Sequence, residues 1–124
     1  MRILLVDDEQ ELVETLAERL SIRRIEARWA TTGDAAMKFL EQESFDLAVL
    51  DVKLPGISGI DLHRKMKAKY PDLKFIFMTG HGSQDDYAAG SAETVKDYYL
   101  LKPVNIEKLM DKMKKLMGRG KGRI

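Results

Sequence analysis

Short apolar runs alternate along this chain with longer stretches in which apolar residues recur every three or four positions. Ile3-Leu-Leu-Val6, Leu47-Ala-Val-Leu50, Phe75-Ile-Phe-Met78 and Tyr98-Tyr-Leu-Leu101 have the length and composition of buried strands. Ala27-Arg-Trp-Ala30 is a weaker candidate. Between them, Leu12, Val13, Leu16, Ala17 and Leu20 keep helical spacing, with Asp8 as a candidate cap. Thr32 is placed to cap a second helix carrying Ala36, Phe39 and Leu40. Ser58-Gly59 opens a third, with Ile60, Leu62 and Met66, that stops near Tyr70-Pro71. Ser83 and Asp86 form a capping-box signature for a fourth. Its apolar stripe, Ala88, Ala92 and Val95, is thin, and Gly90 interrupts it at a cost of ~1 kcal/mol relative to Ala. Asn105 caps the last helix, whose apolar face of Ile106, Leu109, Met110, Met113, Leu116 and Met117 is the cleanest in the chain.

Strands alternating with helices in this way predict an α/β fold. It is a doubly wound, five-stranded parallel sheet with five helices on its two faces, joined by right-handed crossovers. The 124 residues suit one domain over 1–117. The Gly-rich basic stretch 118–124 reads as a flexible tail or linker stub.

Composition narrows the function. With 21 basic against 20 acidic residues the charge is balanced, which argues against direct nucleic-acid binding or a membrane-surface role. The chain has no cysteine, so disulfides and thiolate metal sites are excluded and a reducing, cytoplasmic setting is expected. No apolar run approaches the roughly 18 residues of a membrane span, and Met1 leads into a strand rather than a signal peptide.

The candidate chemistry lies where the strands end. Open α/β sheets bind ligands beyond the carboxyl ends of their strands. Those ends carry Asp7 and Asp8, Asp51, Thr79 and Lys102. Asp51 closes the most apolar strand, and the Pro55-Gly56 turn follows it. Carboxylates brought this close repel one another, so a hard divalent cation, Mg2+ or Mn2+, is expected among them, with Lys102 as a further positive charge. A carboxylate beside a cation, a lysine and a hydroxyl is also the equipment of phosphoryl transfer, and the chemistry suggested is an aspartyl phosphate. Each residue alone has a plainer reading. Asp7 and Asp8 read as helix caps, Asp51 as a turn former, Lys102 as a solvated charge, Tyr99 as packing, and His63 and His81 as surface residues.

Four blocks, Val6-Asp7-Asp8-Glu9, Leu50-Asp51-Val52-Lys53-Leu54-Pro55-Gly56 with Gly59, Met78-Thr79-Gly80, and Tyr99-Leu-Leu-Lys102-Pro103, occur in order at strand ends. In them the chain resembles a response-regulator receiver domain of two-component signalling. The resemblance implies a flavodoxin-like strand order 2-1-3-4-5 and a phosphoryl group taken on Asp51 from a histidine kinase or histidine phosphotransfer protein. It also implies Mg2+ held by Asp8, Asp51 and the backbone carbonyl of Lys53, with Asp7 acting through water. Lys102 and Thr79 would contact the phosphoryl oxygens, and Thr79 and Tyr99 would form the switch. Lys53 and His81 would tune phosphoryl lifetime, and Lys102-Pro103 would be cis. The output would be a downstream protein target or an attached output domain, and the only catalysis would be of the chain's own phosphorylation and dephosphorylation. One departure is Val95-Lys96, where receivers usually carry Gly-Ala.

Two other functions fit less well. A degenerate receiver would serve as an unphosphorylated interaction module. A dehalogenase-like phosphatase needs an acid/base carboxylate two residues after its nucleophile, and Lys53 stands there. No Gly-rich fingerprint follows the first strand, which removes a dinucleotide site.

Overall fold

A computed structural model of the chain describes residues 1–80 and 99–121. Its strands are β1 (Arg2–Val6), β2 (Glu26–Ala30), β3 (Leu47–Asp51), β4 (Lys74–Thr79) and β5 (Tyr99–Leu101). The helices among the described residues are α1 (Gln10–Ile22), α2 (Gly33–Gln42), α3 (Gly59–Lys69) and α4 (Ile106–Lys121). The helix expected from Ser83 onward, with Gly90 and Val95-Lys96, lies outside the described residues, as does His81. The sheet is parallel throughout, in the order β2-β1-β3-β4-β5. No described helix is long and apolar enough to cross a membrane.

The apolar runs form strands rather than helices because both of their faces are covered. Ile3, Leu5, Leu47, Val49, Ile76, Met78 and Leu100 pack with α1 and α4 on one side. Leu4, Val6, Ala48, Leu50, Phe75, Phe77 and Tyr99 pack with α2 and α3 on the other. Every residue of β3 is buried. Burying a Leu, Ile or Val side chain contributes about 1.5–3 kcal/mol, so apolar packing on both faces is the main force that holds the central strands in place.

Helix ends follow their caps, with one exception. The Thr32 hydroxyl accepts from the Ala35 amide at 3.1 Å and the Ser58 hydroxyl from the Asp61 amide at 3.1 Å. Asn105 Oδ1 accepts from the Glu107 and Lys108 amides at 2.8 and 3.2 Å. Asp8 does not cap α1. The N-cap residue is Glu9, its side chain makes no capping bond, and the Glu9 amide instead donates to Asp7 Oδ1 at 2.9 Å. A carboxylate that would have served the helix is thus left to the strand-end site. The last helix runs to Lys121, past the expected end at Met117. Gly118 and Gly120 cost it ~1 kcal/mol each in propensity, which does not stop a terminal turn from forming.

The exit from α1 carries the clearest local strain. Arg24 sits at φ 65°, a left-handed conformation, while its amide donates to the Ser21 carbonyl at 2.9 Å and the Ile25 amide to the Leu20 carbonyl at 3.0 Å. This is a Schellman motif with arginine where glycine is preferred. Arg24→Gly is therefore expected to raise Tm by roughly 2–6 °C, the equivalent of about 1 kcal/mol in a domain of this size. Thermal melts check it; a lower Tm would mean that the Arg24 side chain contributes more than its backbone costs.

Candidate functional site at the strand ends

Backbone bonds continue the strand ladders past their ends and gather the polar residues there. The Asp7 amide donates to the Ala30 carbonyl at 3.2 Å, Val52 to Met78 at 2.9 Å and Lys102 to Thr79 at 2.8 Å. With Val6 opposite Leu50, and Asp51 opposite Met78, the acids after β1 and at the end of β3 share one edge of the sheet. Beyond Asp51 the chain must turn at once. Gly56 takes φ 83°, and the Gly59 amide donates back to the Val52 carbonyl at 2.7 Å. A Cβ at Gly59 would collide with the Asp51 carbonyl oxygen, so the loop closes on the site only because that residue has no side chain.

Asp7 and Thr79 are buried, at 0% and 1% exposure, and Asp51 at 5%. Lys102 enters from beyond β5, next to the cis Lys102-Pro103 peptide. Its Nζ lies 2.7 Å from Asp7 Oδ2, 3.1 Å from Glu9 Oε1 and 3.4 Å from Asp51 Oδ2. The Lys53 amide donates to Asp51 Oδ1 at 3.3 Å. The Thr79 hydroxyl donates to its neighbour's carbonyl, Gly80 O, at 3.3 Å.

Burial decides the electrostatics. It pushes the Asp51 carboxyl from 3.8 up to about 6, with help from the Asp7 charge and against the pull of Lys102 and the Lys53 amide. Asp7 is raised for the same first reason, opposed by Lys102 and the Glu9 amide. For Lys102 burial alone would lower the ammonium, but the Asp7, Glu9 and Asp51 carboxylates outweigh it and hold the ammonium above its usual range. One lysine therefore does not relieve all of the negative charge. Carboxylate oxygens of Asp7, Asp8 and Asp51 lie within 4.8 Å of one another. Hard oxygen donors at that spacing, with residual repulsion between them, fit a hard divalent cation. Asp7 already has Lys102 on one oxygen and the Glu9 amide on the other, whereas Asp8 is exposed and uncommitted to the helix.

Asp7, Asp8, Asp51, Thr79, Lys53 and Lys102 thus lie together at one edge of the sheet. Tyr99 is near them but apart: it is buried at 7% exposure, paired across the ladder with Phe77 and stacked on its ring at 5.2 Å between centroids. His63 is not the surface residue expected. It is half-buried, edge-on to Phe75 at 4.4 Å and to Phe77 at 5.4 Å, and burial followed by the Lys67 and Arg64 charges lowers its imidazole pKa. Its place on α3, one residue past Leu62, put it beside the core, and the sequence signalled this only weakly. In the sequence Glu9 stands only as the last residue of the Val6-Asp7-Asp8-Glu9 block, with no role of its own. Its contact with Lys102 was legible in one respect, as a third acid in a row at the same strand end.

The family model of the response regulator receiver domain matches residues 3–114. The response regulator MprA of Mycobacterium avium is 32% identical over 121 residues, which are 98% of this chain and 53% of that protein. The chain thus spans about half the length of the curated relatives it matches. Among solved structures, response regulator protein TrrA from Thermotoga maritima, in complex with Mg2+-BeF, is similar with a TM-score of 0.78 and 34% identity, over 94% of this chain and 98% of that one. A response regulator receiver domain protein from Clostridium thermocellum gives 0.83 and 28%, over 97% and 96%. A match that runs through all four strand-end blocks, on a sheet of the expected order, leaves one assignment: the chain belongs to the response regulator receiver domain family.

Proposed function

We propose that the chain is a phosphorylation-dependent signalling switch that accepts a phosphoryl group on Asp51. The observation that carries this reading is the Lys102 ammonium held 3.4 Å from Asp51 Oδ2 with Asp7 fixing its other side at 2.7 Å. An Asp51 oxygen attacks phosphorus in line as the P–N bond of a phosphohistidine breaks, and the departing imidazole keeps the electron pair. Lys102 moves its donors onto the phosphoryl oxygens, and the Thr79 hydroxyl leaves the Gly80 carbonyl to do the same. A divalent cation, Mg2+ or Mn2+, would be held by Asp8, Asp51 and the Lys53 carbonyl, with Asp7 through water, and would supply neutralisation of the phosphoryl charge. TrrA, solved in complex with Mg2+-BeF, supports that choice by similarity.

The switch follows from what the site pulls on. Thr79 is two residues beyond Phe77 on β4, and Tyr99 is stacked on Phe77. Movement of Thr79 toward a phosphoryl group changes the space available to Tyr99 and so biases the surface around β5 and α4 between two arrangements. The donor is a histidine kinase or phosphotransfer protein, and the reader of the changed surface is a downstream target or an output domain. Lys53, at the rim of the site, tunes how long the phosphoryl group lasts. His81 is assigned the same role by its place in the sequence alone. The chain's only catalysis is on itself.

The test is incubation with Mg2+ and acetyl phosphate followed by intact mass. A gain of one phosphoryl group that is absent in Asp51→Asn supports the switch. A folded protein that never gains mass is a degenerate receiver, an interaction module that works without phosphorylation. Mg2+ should also raise Tm, because it binds the folded acidic cluster and not the unfolded chain. Asp8→Asn should lose most of that rise, and an undiminished rise would remove Asp8 from the metal site.

A further inference from the structure

The three carboxylates that share the Lys102 ammonium among the described residues differ in how easily they release it. Asp7 is fully buried and its second oxygen holds the Glu9 amide at 2.9 Å. Asp51 is at the end of a central strand, with its side chain 7% exposed. Glu9 belongs to the N-cap of α1, and its side chain is 63% exposed while its Oε1 stands 3.1 Å from Lys102 Nζ. Asp7 and Asp51 are held by the sheet, and Glu9 holds the lysine from the solvent side. We propose that Glu9 is a specificity-determining residue for the phosphoryl donor, a negative gate at the mouth of the Asp51 site that sorts donors by charge. This rests on the phosphoacceptor reading of Asp51.

A donor reaches Asp51 productively only when Lys102 can receive its phosphoryl oxygens. Glu9 occupies that ammonium from the direction of solvent, so the incoming oxygens compete with its carboxylate and are repelled by it. Releasing Glu9 leaves no buried charge behind, because the freed carboxylate returns to water. The gate is therefore inexpensive to open, and its resistance grows with the negative charge on the donor. Acetyl phosphate is a dianion at neutral pH, whereas phosphoramidate is a zwitterion with a single net negative charge. A rim charge of this kind acts on the rate of encounter and fades with ionic strength, over a Debye length of ~10 Å at 0.1 M salt.

The experiment measures initial rates of phosphoryl gain by intact mass in saturating Mg2+, for the parent and Glu9→Gln, with each donor at low and high salt. Glu9→Gln is expected to accelerate acetyl phosphate about threefold to tenfold and phosphoramidate less than about twofold, with the difference shrinking at high salt. Equal acceleration of both donors, or none, overturns the gate while leaving the phosphoacceptor reading intact. Calorimetric Mg2+ titration is the second readout. Affinity within about twofold of the parent agrees with the proposal, and a loss of about tenfold or more overturns it by making Glu9 a metal ligand. Failure of the folded parent to gain mass from either donor overturns the phosphoacceptor reading, and the gate with it.

Discussion

Asp51→Asn, freed of metal with a chelator, should melt roughly 5–10 °C above the parent near neutral pH. Losing the residue proposed to be the centre of the molecule's chemistry should make the molecule more stable. The sign comes from linkage. Asp51 titrates from 3.8 up to about 6 in the fold, chiefly through burial and then through Asp7, even with Lys102 and the Lys53 amide pulling the other way. Between those two values the folded protein binds more protons than the unfolded chain, so stability falls as pH rises from about 4 to about 6 and then levels. Roughly two pKa units at 1.36 kcal/mol each set a ceiling of about 3 kcal/mol on what the buried charge costs above that window. Exposure of 5% leaves little solvent to screen it. Asn keeps an acceptor for the Lys53 amide and carries no charge, so it escapes this cost. Melts in chelator across a pH series check the account. The gain should vanish below about pH 4, where both states of the parent are protonated, and Mg2+ should narrow it by stabilising the parent alone. An Asn variant less stable than the parent at neutral pH would mean that Lys102 and its partners more than offset the burial.

The same tension explains how far the sequence could be read. The sheet was legible because its strands are covered on both faces and so are written as uninterrupted apolar runs, from Ile3 to Val6 and from Leu47 to Leu50. The site was legible because charged residues that directly follow such runs must project from the edge of the sheet. Caps at Thr32, Ser58 and Asn105 could be read one residue at a time, since each bond is local. What failed was local competition and long-range packing. Asp8 has the side chain of a cap, but the helix begins one residue later, with Glu9 at the N-cap and its amide held by Asp7. His63 looks like any polar residue on a basic helix until Phe75 and Phe77, from a different element, close over it. Glu9 differs again: its partner is 93 residues away in the chain. No periodicity or capping rule reports a contact of that span, and only the meeting of two strand ends creates it.

Lys102→Met should lower Tm by roughly 5–15 °C near neutral pH without metal, the opposite sign to Asp51→Asn. Methionine preserves most of the apolar stem and removes the ammonium, so the change isolates the charge. The folded-state pKa of Lys102 lies above its ordinary 10.5, because Asp7, Glu9 and Asp51 together outweigh its burial. Its stabilising contribution is accordingly present below about 10.5 for as long as its carboxylate partners stay ionised, and at the alkaline end it is lost as pH rises through the folded value. Removing it strands Asp7, at 0% exposure, with the Glu9 amide as its one remaining partner of those described above. Breaking a buried pair in this way costs about 3–5 kcal/mol, and the 19% exposure of the lysine side chain brings the expectation to the lower part of that range. The variant should regain stability relative to the parent as acid protonates Asp7 and Asp51, and it should gain more from Mg2+ than the parent does. Adding Asp51→Asn to Lys102→Met provides the sharper comparison. With one of the two buried acids neutral, the lysine has less charge to balance, so the double variant should be more stable than the sum of the single effects by about 1 kcal/mol or more. Strict additivity in melts of the four proteins would show that Asp51 and Lys102 do not feel each other, and the electrostatic account of the pocket would fail there.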